Sequence, residues 1–235
     1  MSEDNREVLK ETANKLGVGL DERQIEQFIH FKDLLLEWNE KMNLTAITDE
    51  REIIVKHFAD SLSLAPFLGK GTLIDVGTGA GFPGVPLKIA LPNLDVTLLD
   101  SLNKRLVFVN VVIEKLGLGD VKTIHSRAED GVRKGLREEF DYATARAVSR
   151  LSVLSEYCLP YVKVGGTFIA YKGSEISDEI EEATKALKLL GGEIVQIKKI
   201  NFQGINHSLI MIKKVRQTPS RFPRTPVKIT QNPIK

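Results

Sequence analysis

Four glycines within eight residues, Gly77, Gly79, Gly81 and Gly84, stand directly after the apolar run Thr72–Val76. Glycine permits a positive φ and lets a ligand approach the backbone without a Cβ in the way. Pro83 and Pro86 suit the first turn of a helix, where missing N–H groups cost little. A buried strand, a glycine turn and a helix start together open a nucleotide-type cofactor site. Asp75 sits inside the strand, and Asp100 lies 23 residues beyond Gly77, at the tip of the next apolar run. A carboxylate in that second position can accept both hydroxyls of a ribose.

These residues need a scaffold that brings strand ends together. Thr72–Val76 reads as a first buried strand, followed by Asp95–Leu99, Val121–His125, Phe140–Ala145 and Gly166–Tyr171. Helical stretches fall between them at about 84–91, 103–117, 149–160 and 177–191, with a short one near 127–134. Strands alternating with helices imply a parallel sheet covered on both faces. Glu193–Ile200 and Ser208–Lys214 break the rhythm, because the residues between them, Asn201–His207, are too few for a helical crossover. They are expected to form an antiparallel hairpin that closes a seven-stranded sheet.

The first sixty-five residues are expected to be a helical extension (1–65) on the core (66–215), with a tail at 216–235, all in one folded domain. Asp21 with Gln24 resembles a capping box, and Phe28, Phe31, Leu35, Trp38 and Met42 then share a helix face. Asp49 and Glu52 repeat the pattern and start a second helix towards His57. The polar residues of Trp38–Thr45 and the group His57, Asp60 and Ser61 are not explained by packing alone, although a lone histidine is usually structural.

Composition sets the outer bounds. The chain has 235 residues, 42% of them hydrophobic and 27% charged, as in ordinary globular proteins. No apolar run approaches the length of a membrane span, and Met1–Asp4 does not resemble a signal peptide. A lone Cys158 excludes internal disulfides and multi-cysteine metal sites. A cytoplasmic monomer without metal is expected. The net charge is +2, but residues 213–235 hold seven cations and no acid, so the tail carries +7 and the rest −5. Such a tail suggests a polyanion partner, or else a solubilising terminus.

The glycines permit two cofactor readings. Gly79-x-Gly81-x-x-Gly84 formally fits the dinucleotide fingerprint, which would give an NAD-dependent oxidoreductase. That fingerprint begins at the strand end, however, and the strand end here is Gly77. Read from there, Asp75-x-Gly77-x-Gly79-x-Gly81 resembles the first motif of the class I, Rossmann-like S-adenosylmethionine-dependent methyltransferases. Their seven-stranded, mostly parallel sheet also ends in an antiparallel hairpin. The segment after the fourth strand, Asp141–Val148, lacks an Asn-Pro-Pro-aromatic or Asp-Pro-Pro-aromatic run to hold an exocyclic amine, and it lacks a cysteine for covalent attack on a pyrimidine. A ring nitrogen such as guanine N7 needs neither device, since its lone pair is free and positioning supplies most of the rate.

Taken together, the motifs resemble one family. They are Trp38-Asn39 with Asn43-Leu44-Thr45, His57 with Asp60-Ser61-Leu62, Asp75–Gly84, Asp100-Ser101 with Lys104-Arg105, and Arg127–Asp130. Thr144–Ala147, Tyr171–Gly173 and Arg221–Arg224 complete the set, which spans residues 38 to 224. The chain resembles the bacterial small-subunit (16S) ribosomal RNA guanine-N7 methyltransferases of the glucose-inhibited division protein B (GidB, RsmG) family. Two departures are Lys56, where the family often has arginine, and Thr225-Pro226-Val227, where many members have glycine after the proline.

The resemblance implies S-adenosyl-L-methionine as cofactor and 16S ribosomal RNA of the small subunit as partner. It implies cofactor contacts at Gly77, Phe82, Ala128, Glu129 and Arg146, which join Asp75, Gly79 and Asp100 from the glycine motif. Glu129 could instead be a helix-start charge favouring the macrodipole. Arg146 could neutralise the methionyl carboxylate or hold RNA near the transferred methyl, and no general base is expected. Lys104, Arg105, Lys172, Arg216, Arg221 and Arg224 are candidates for phosphate contact.

Overall fold

The computed structural model describes residues 3–146, 149–202 and 204–234. Met1, Ser2, Ala147, Val148, Gln203 and Lys235, which belong to segments read above, lie outside the described residues. The chain begins with helices α1 (Glu3–Lys15), α2 (Glu22–Met42), α3 (Glu50–Ile53) and α4 (Asp60–Leu62). Strand β1 (Gly71–Val76) then opens an alternating run of α5 (Gly84–Ala90), β2 (Leu94–Asp100), α6 (Asn103–Leu116), β3 (Val121–His125), α7 (Ala128–Gly131) and β4 (Phe140–Ala145). It continues with α8 (Leu151–Cys158), β5 (Val162–Lys172), α9 (Ser177–Leu190), β6 (Gly192–Phe202), β7 (Ile205–Lys214) and α10 (Pro226–Gln231).

The strands form one seven-stranded sheet in the order β3-β2-β1-β4-β5-β7-β6. β7 runs antiparallel to β5 and to β6, and every other pairing is parallel, as the hairpin reading required. The hairpin is longer than expected, because Asn201 pairs with Asn206 and Phe202 with Ile205. The segment expected as a connecting loop is therefore mostly ladder. An antiparallel edge needs only backbone groups to propagate, and Gly204, at φ +85, supplies the turn.

Register brings the chemistry to one edge. Val76 pairs with Leu99, Asp100 with His125, Ala145 with Ala170, and Lys172 with Ser208. The residues that follow β1 to β5, and those that begin β7, therefore lie along a common rim. Strand order reverses between β1 and β4, and ligands of open α/β sheets bind outside the strand ends at such a reversal.

Alternation splits the core. Leu73 and Leu98 face the cluster shared with the N-terminal helices, whereas Ile74 and Leu99 face the cluster under α8 and α9. The extension docks because its stripe matches that first face. Asp21 caps α2 as expected, with Gln24 N donating to Asp21 Oδ1 at 2.8 Å and Asp21 N donating to Gln24 Oε1 at 2.9 Å. Gln24 Nε2 also donates to Ile89 O at 2.8 Å and so pins the start of α2 to the end of α5. Phe31 is fully buried, with ring centroids 5.6 Å from Phe58, 5.1 Å from Phe82 and 6.4 Å from Phe108. It joins the extension to the glycine turn and to α6. Trp38 packs 5.7 Å from Phe108, which gives it a place in the core.

Three features differ from the sequence reading. The helix started by Asp49 changes to π pitch over Ile54–Ala59 before α4. Helix α1, which no individual signal marked, buries Leu9 and Ala13 completely. The tail is not a free terminus, since Phe222 is 5% exposed and Ile229 in α10 is fully buried.

We propose that extension, core and tail unfold as one cooperative unit, since one cluster joins the extension to the sheet from Leu9 to Met211 and the cluster on the other face of the sheet takes in Phe222 of the tail. Phe31→Ala should then cost about 3–5 kcal/mol in urea denaturation, the usual range for a buried phenylalanine. The loss should come in a single transition, and a separate early transition of the extension would contradict this.

Candidate functional site

The glycine turn begins where β1 ends, so Gly77 is the strand-end glycine and the dinucleotide register is out of place. Gly77 N and Thr78 N both donate to Leu99 O, at 2.8 and 3.0 Å, which ties the turn to β2. The four glycines fall into two kinds. A Cβ on Gly84 would lie 2.2 Å from Leu98 Cδ2, so that glycine lets α5 pack on the sheet, and one on Gly81 (φ +95) would lie 2.7 Å from Val85 Cγ2 at the start of α5. At Gly77 (φ +78) and Gly79 (φ +62) a Cβ would meet nothing within 4 Å. Those two need positive φ and border open space.

Two carboxylates brace the turn. Asp75 is fully buried, and its Oδ2 accepts from Thr78 Oγ1 at 2.7 Å and from Gly84 N at 3.0 Å. Burial pushes its carboxyl up to about 6. Oδ1 has no hydrogen-bond partner among the described residues. Asp75, expected beside a cofactor, is enclosed beneath the turn and shapes the loop. Asp100 accepts from Gly79 N at 2.9 Å through Oδ2 and from Leu102 N at 2.8 Å through Oδ1, with Arg105 Nη1 at 3.6 Å. Each of its oxygens keeps a second lone pair for a ligand hydroxyl.

The end of β3 joins the same rim, since Ser126 N donates to Asp100 O at 3.1 Å. Ala128 O accepts from Tyr161 Oη at 2.5 Å, which fixes the first turn of α7. Glu129 is 4% exposed and has no hydrogen-bond partner among the described residues. A buried carboxylate without a protein donor leaves its acceptor capacity for a ligand.

On the other side of Gly77 stands a network the sequence only hinted at. Asn39 Oδ1 accepts from Thr45 N at 2.8 Å, and Thr45 Oγ1 lies 2.8 Å from His57 Nε2. His57 Nδ1 lies 3.3 Å from Arg146 Nη2. Arginine only donates, so Nδ1 accepts, and the ring proton is on Nε2, facing Thr45. Arg146 Nη1 donates to Asp60 Oδ2 at 2.9 Å, and His207 Nδ1 donates to Asp60 Oδ1 at 2.8 Å. Burial opposes the charge on Asp60, but the His207 hydrogen bond and the Arg146 charge hold its carboxyl below the ordinary value. The amides of Trp38–Thr45, the His57 segment and β7 thus support one guanidinium. Tyr171, read only as part of the Tyr171–Gly173 motif, donates through Oη to Ser61 O at 3.0 Å, and His207 was not singled out from sequence. The isolated position of His207 in a strand gave no signal.

Phe82 lies beneath that guanidinium. Its ring stacks 4.6 Å from His57 at 17°, and Arg146 Cζ sits 5.0 Å from its centroid. Phe82, expected to wall a cofactor pocket, is 5% exposed and packs against Phe31, His57 and Arg146. It anchors the turn to the extension.

Arg146 also lines a cleft of about 900 Å³ at the ends of β4 and β5, with Asp60, Tyr171, Lys172 and His207. Helix α9 adds Asp178, Glu179 and Glu182 to its wall. The expected phosphate contacts scatter. Lys104 is exposed, and Arg105 pairs with Asp100. Lys172 is held by Glu179 at 2.6 Å and donates to Ser149 O. Arg216 donates to Lys188 O beside the hairpin, and Arg221 packs on Phe222, 5.1 Å from its centroid. Arg224 already has a protein partner. Its guanidinium grips Glu156, which is 1% exposed, at 2.7 Å and 2.9 Å, and so anchors the tail.

Burial, and next the Arg146 charge, push His57 down to about 4. A histidine lowered on folding binds its proton more readily when unfolded, so stability falls as pH drops from about 6.5 towards 4. Asp75, raised to about 6, acts oppositely and loses stabilisation as pH rises through that value. The comparison with His57→Gln isolates the first effect. Wild type should lose up to roughly 3 kcal/mol relative to that variant between pH 6.5 and 4, read from urea midpoints. A difference independent of pH would place the His57 ring in solvent.

A family model described as rRNA small subunit methyltransferase G matches residues 24–209, most of the chain. The Ribosomal RNA small subunit methyltransferase G of Alkaliphilus metalliredigens is 52% identical, with 99% of this chain and all of that protein aligned. The protein of the same name from Acetivibrio thermocellus is 54% identical over 97% of this chain and 96% of its own. Among solved structures, M. jannaschii TYW2 in complex with AdoMet superposes with a TM-score of 0.56 at 16% identity, covering 72% of this chain and 79% of that one. A 16S rRNA (adenine(1408)-N(1))-methyltransferase variant from Catenulisporales acidiphilia gives 0.52 at 18% identity, covering 66% and 90%. These two likenesses speak for the fold, a Rossmann-like methyltransferase sheet. The sequence matches go further: the chain belongs to the rRNA small subunit methyltransferase G family.

Proposed function

We propose that this chain transfers a methyl group from S-adenosyl-L-methionine to N7 of a guanine in the 16S RNA of the small ribosomal subunit. One observation carries the reading: Arg146 touches the glycine turn through Phe82 and at the same time lines the 900 Å³ cleft. Donor and acceptor half-sites thus share one residue.

The residues on the donor side fit the cofactor. Gly77 and Gly79 leave space where any other side chain would intrude. Asp100 retains lone pairs for a ribose diol, and Glu129 is a buried acceptor without a protein partner. Ala128, at the start of α7, is held in place by Tyr161. Bound there, S-adenosylmethionine supplies a methyl carried on a sulfonium, which passes to N7 as the S–C bond breaks and the N–C bond forms, with no proton to remove.

The chain's own contribution is therefore positional. His57 stays neutral and accepts from Arg146, while Asp60 balances the guanidinium charge and sets its plane over Phe82. The remaining N–H groups of Arg146 are available to a carbonyl, a carboxylate or a phosphate at the cleft. Neither the Asp60 carboxylate, tied up by Arg146 and His207, nor His57 is poised as a base, in keeping with an acceptor that needs none. Dehydrogenase chemistry is not favoured, because β1 ends at Val76 and the strand-end glycine is Gly77, two residues before the dinucleotide fingerprint would begin.

Incubation with methyl-labelled cofactor and 16S RNA, followed by nuclease digestion, should yield N7-methylguanosine. Arg146→Ala should lower kcat/KM about tenfold to hundredfold, as expected when hydrogen bonds from a charged group worth about 1.5–3 kcal/mol are lost. Label in another nucleoside, or none in RNA, would overturn the assignment.

A further inference from the structure

The acceptor cleft does not end at Ser149 and Arg150. Both residues also line a second depression of about 1270 Å³ between α8, α9 and the C-terminal segment. Its wall carries Arg150, Lys185, Arg221, Arg224 and Lys228, with no aspartate or glutamate among the described lining residues. Two of these cations already have partners, Arg224 on Glu156 and Arg150 on Glu182. Lys185, Arg221 and Lys228 are exposed, and among the described residues none lies within ion-pair distance of a carboxylate.

The depression is built rather than left over. Phe222 and Ile229 bury the tail against the core, and Arg133 and Arg137 donate to Pro223 O at 3.1 Å and Thr218 O at 3.3 Å. The tail thus presents Arg221 and Lys228 from one wall, opposite Lys185 of α9. Thr230, Gln231 and Asn232 add neutral hydrogen-bonding groups.

Charge decides which way an anionic strand can leave the cleft. The α9 side of the cleft shows Glu175 and Asp178, which repel phosphate, beside Glu179 and Glu182, which are already paired with Lys172 and Arg150. The passage past Ser149 and Arg150 leads to uncompensated cations. We propose that this depression holds the phosphate backbone of the RNA strand whose base enters the cleft, with Lys185, Arg221 and Lys228 as the phosphate contacts. The proposal rests on the RNA methyltransferase reading above, and it takes the strand along the tail rather than over Lys104 and Arg216, which line neither cavity.

The test uses the full chain carrying Lys185→Gln, Arg221→Gln and Lys228→Gln together, with protein-free 16S RNA as probe. Each phosphate contact on a single strand contributes about 0.7 to the slope of log affinity against log salt, so losing three should flatten it by about 2. Affinity for S-adenosylmethionine, read by calorimetry, should stay at the wild-type value. A Lys185→Arg, Arg221→Lys, Lys228→Arg variant should keep the wild-type slope. An unchanged slope in the glutamine variant, with wild type methylating the RNA normally, overturns the groove and leaves the activity standing. A loss confined to assembled subunits overturns it too, since the occupant is then an acidic ribosomal protein surface. Wild type that methylates no RNA at all refutes the underlying reading instead.

Discussion

The Asp75 carboxylate is the constraint on which the rest depends. It lies in the middle of the sheet, wholly removed from water, and spends one oxygen on both ends of the glycine turn, Thr78 and Gly84. A group that costly to bury persists only where its hydrogen bonds are fixed by geometry. By holding Gly84 N it seats the start of α5 on Leu98, and by holding Thr78 it sets where the backbone of Gly77 and Gly79 must pass. Asp100 completes the closure from β2 through Gly79 N. The turn is therefore shaped before any ligand arrives, which lowers the ordering cost of binding.

The same turn organises the other half of the site. Phe82, its last aromatic, is stacked against Phe31 and His57, so the helical extension cannot move without disturbing the loop. Arg146 lies over Phe82, held by His57 and Asp60 from the extension and, through Asp60, by His207 of the hairpin. Segments separated by up to 150 residues thus meet at one guanidinium. This arrangement fits a reaction that needs two reactants held in line and no proton removed, where positioning supplies the rate.

Much of this was legible in the chain because the signals are local or periodic. The glycines after a strand, Asp100 at the next strand tip and the short gap between the last two strands were sufficient for the sheet and its antiparallel end. What stayed hidden depends on contacts between distant segments. His207 lies in a strand and gains meaning only because β7 is inserted beside β5, opposite Asp60. The π pitch of Ile54–Ala59 has no sequence signature, and α10 follows a stretch rich in proline and cations that reads as a tail. Nor does sequence show the partners of Asp75, Phe82 and Arg224, which are Thr78, His57 and Glu156.

The central claim is that Gly77 borders the cofactor rather than the protein. Its most direct test is the calorimetric affinity of Gly77→Asn for S-adenosylmethionine. Asparagine tolerates positive φ better than other side chains, and no protein atom lies within 4 Å of the position its Cβ would take. The chain should therefore stay folded while affinity falls at least about tenfold, the equivalent of 1.4 kcal/mol. Unchanged affinity in a folded Gly77→Asn chain would contradict the account and move the cofactor away from this turn.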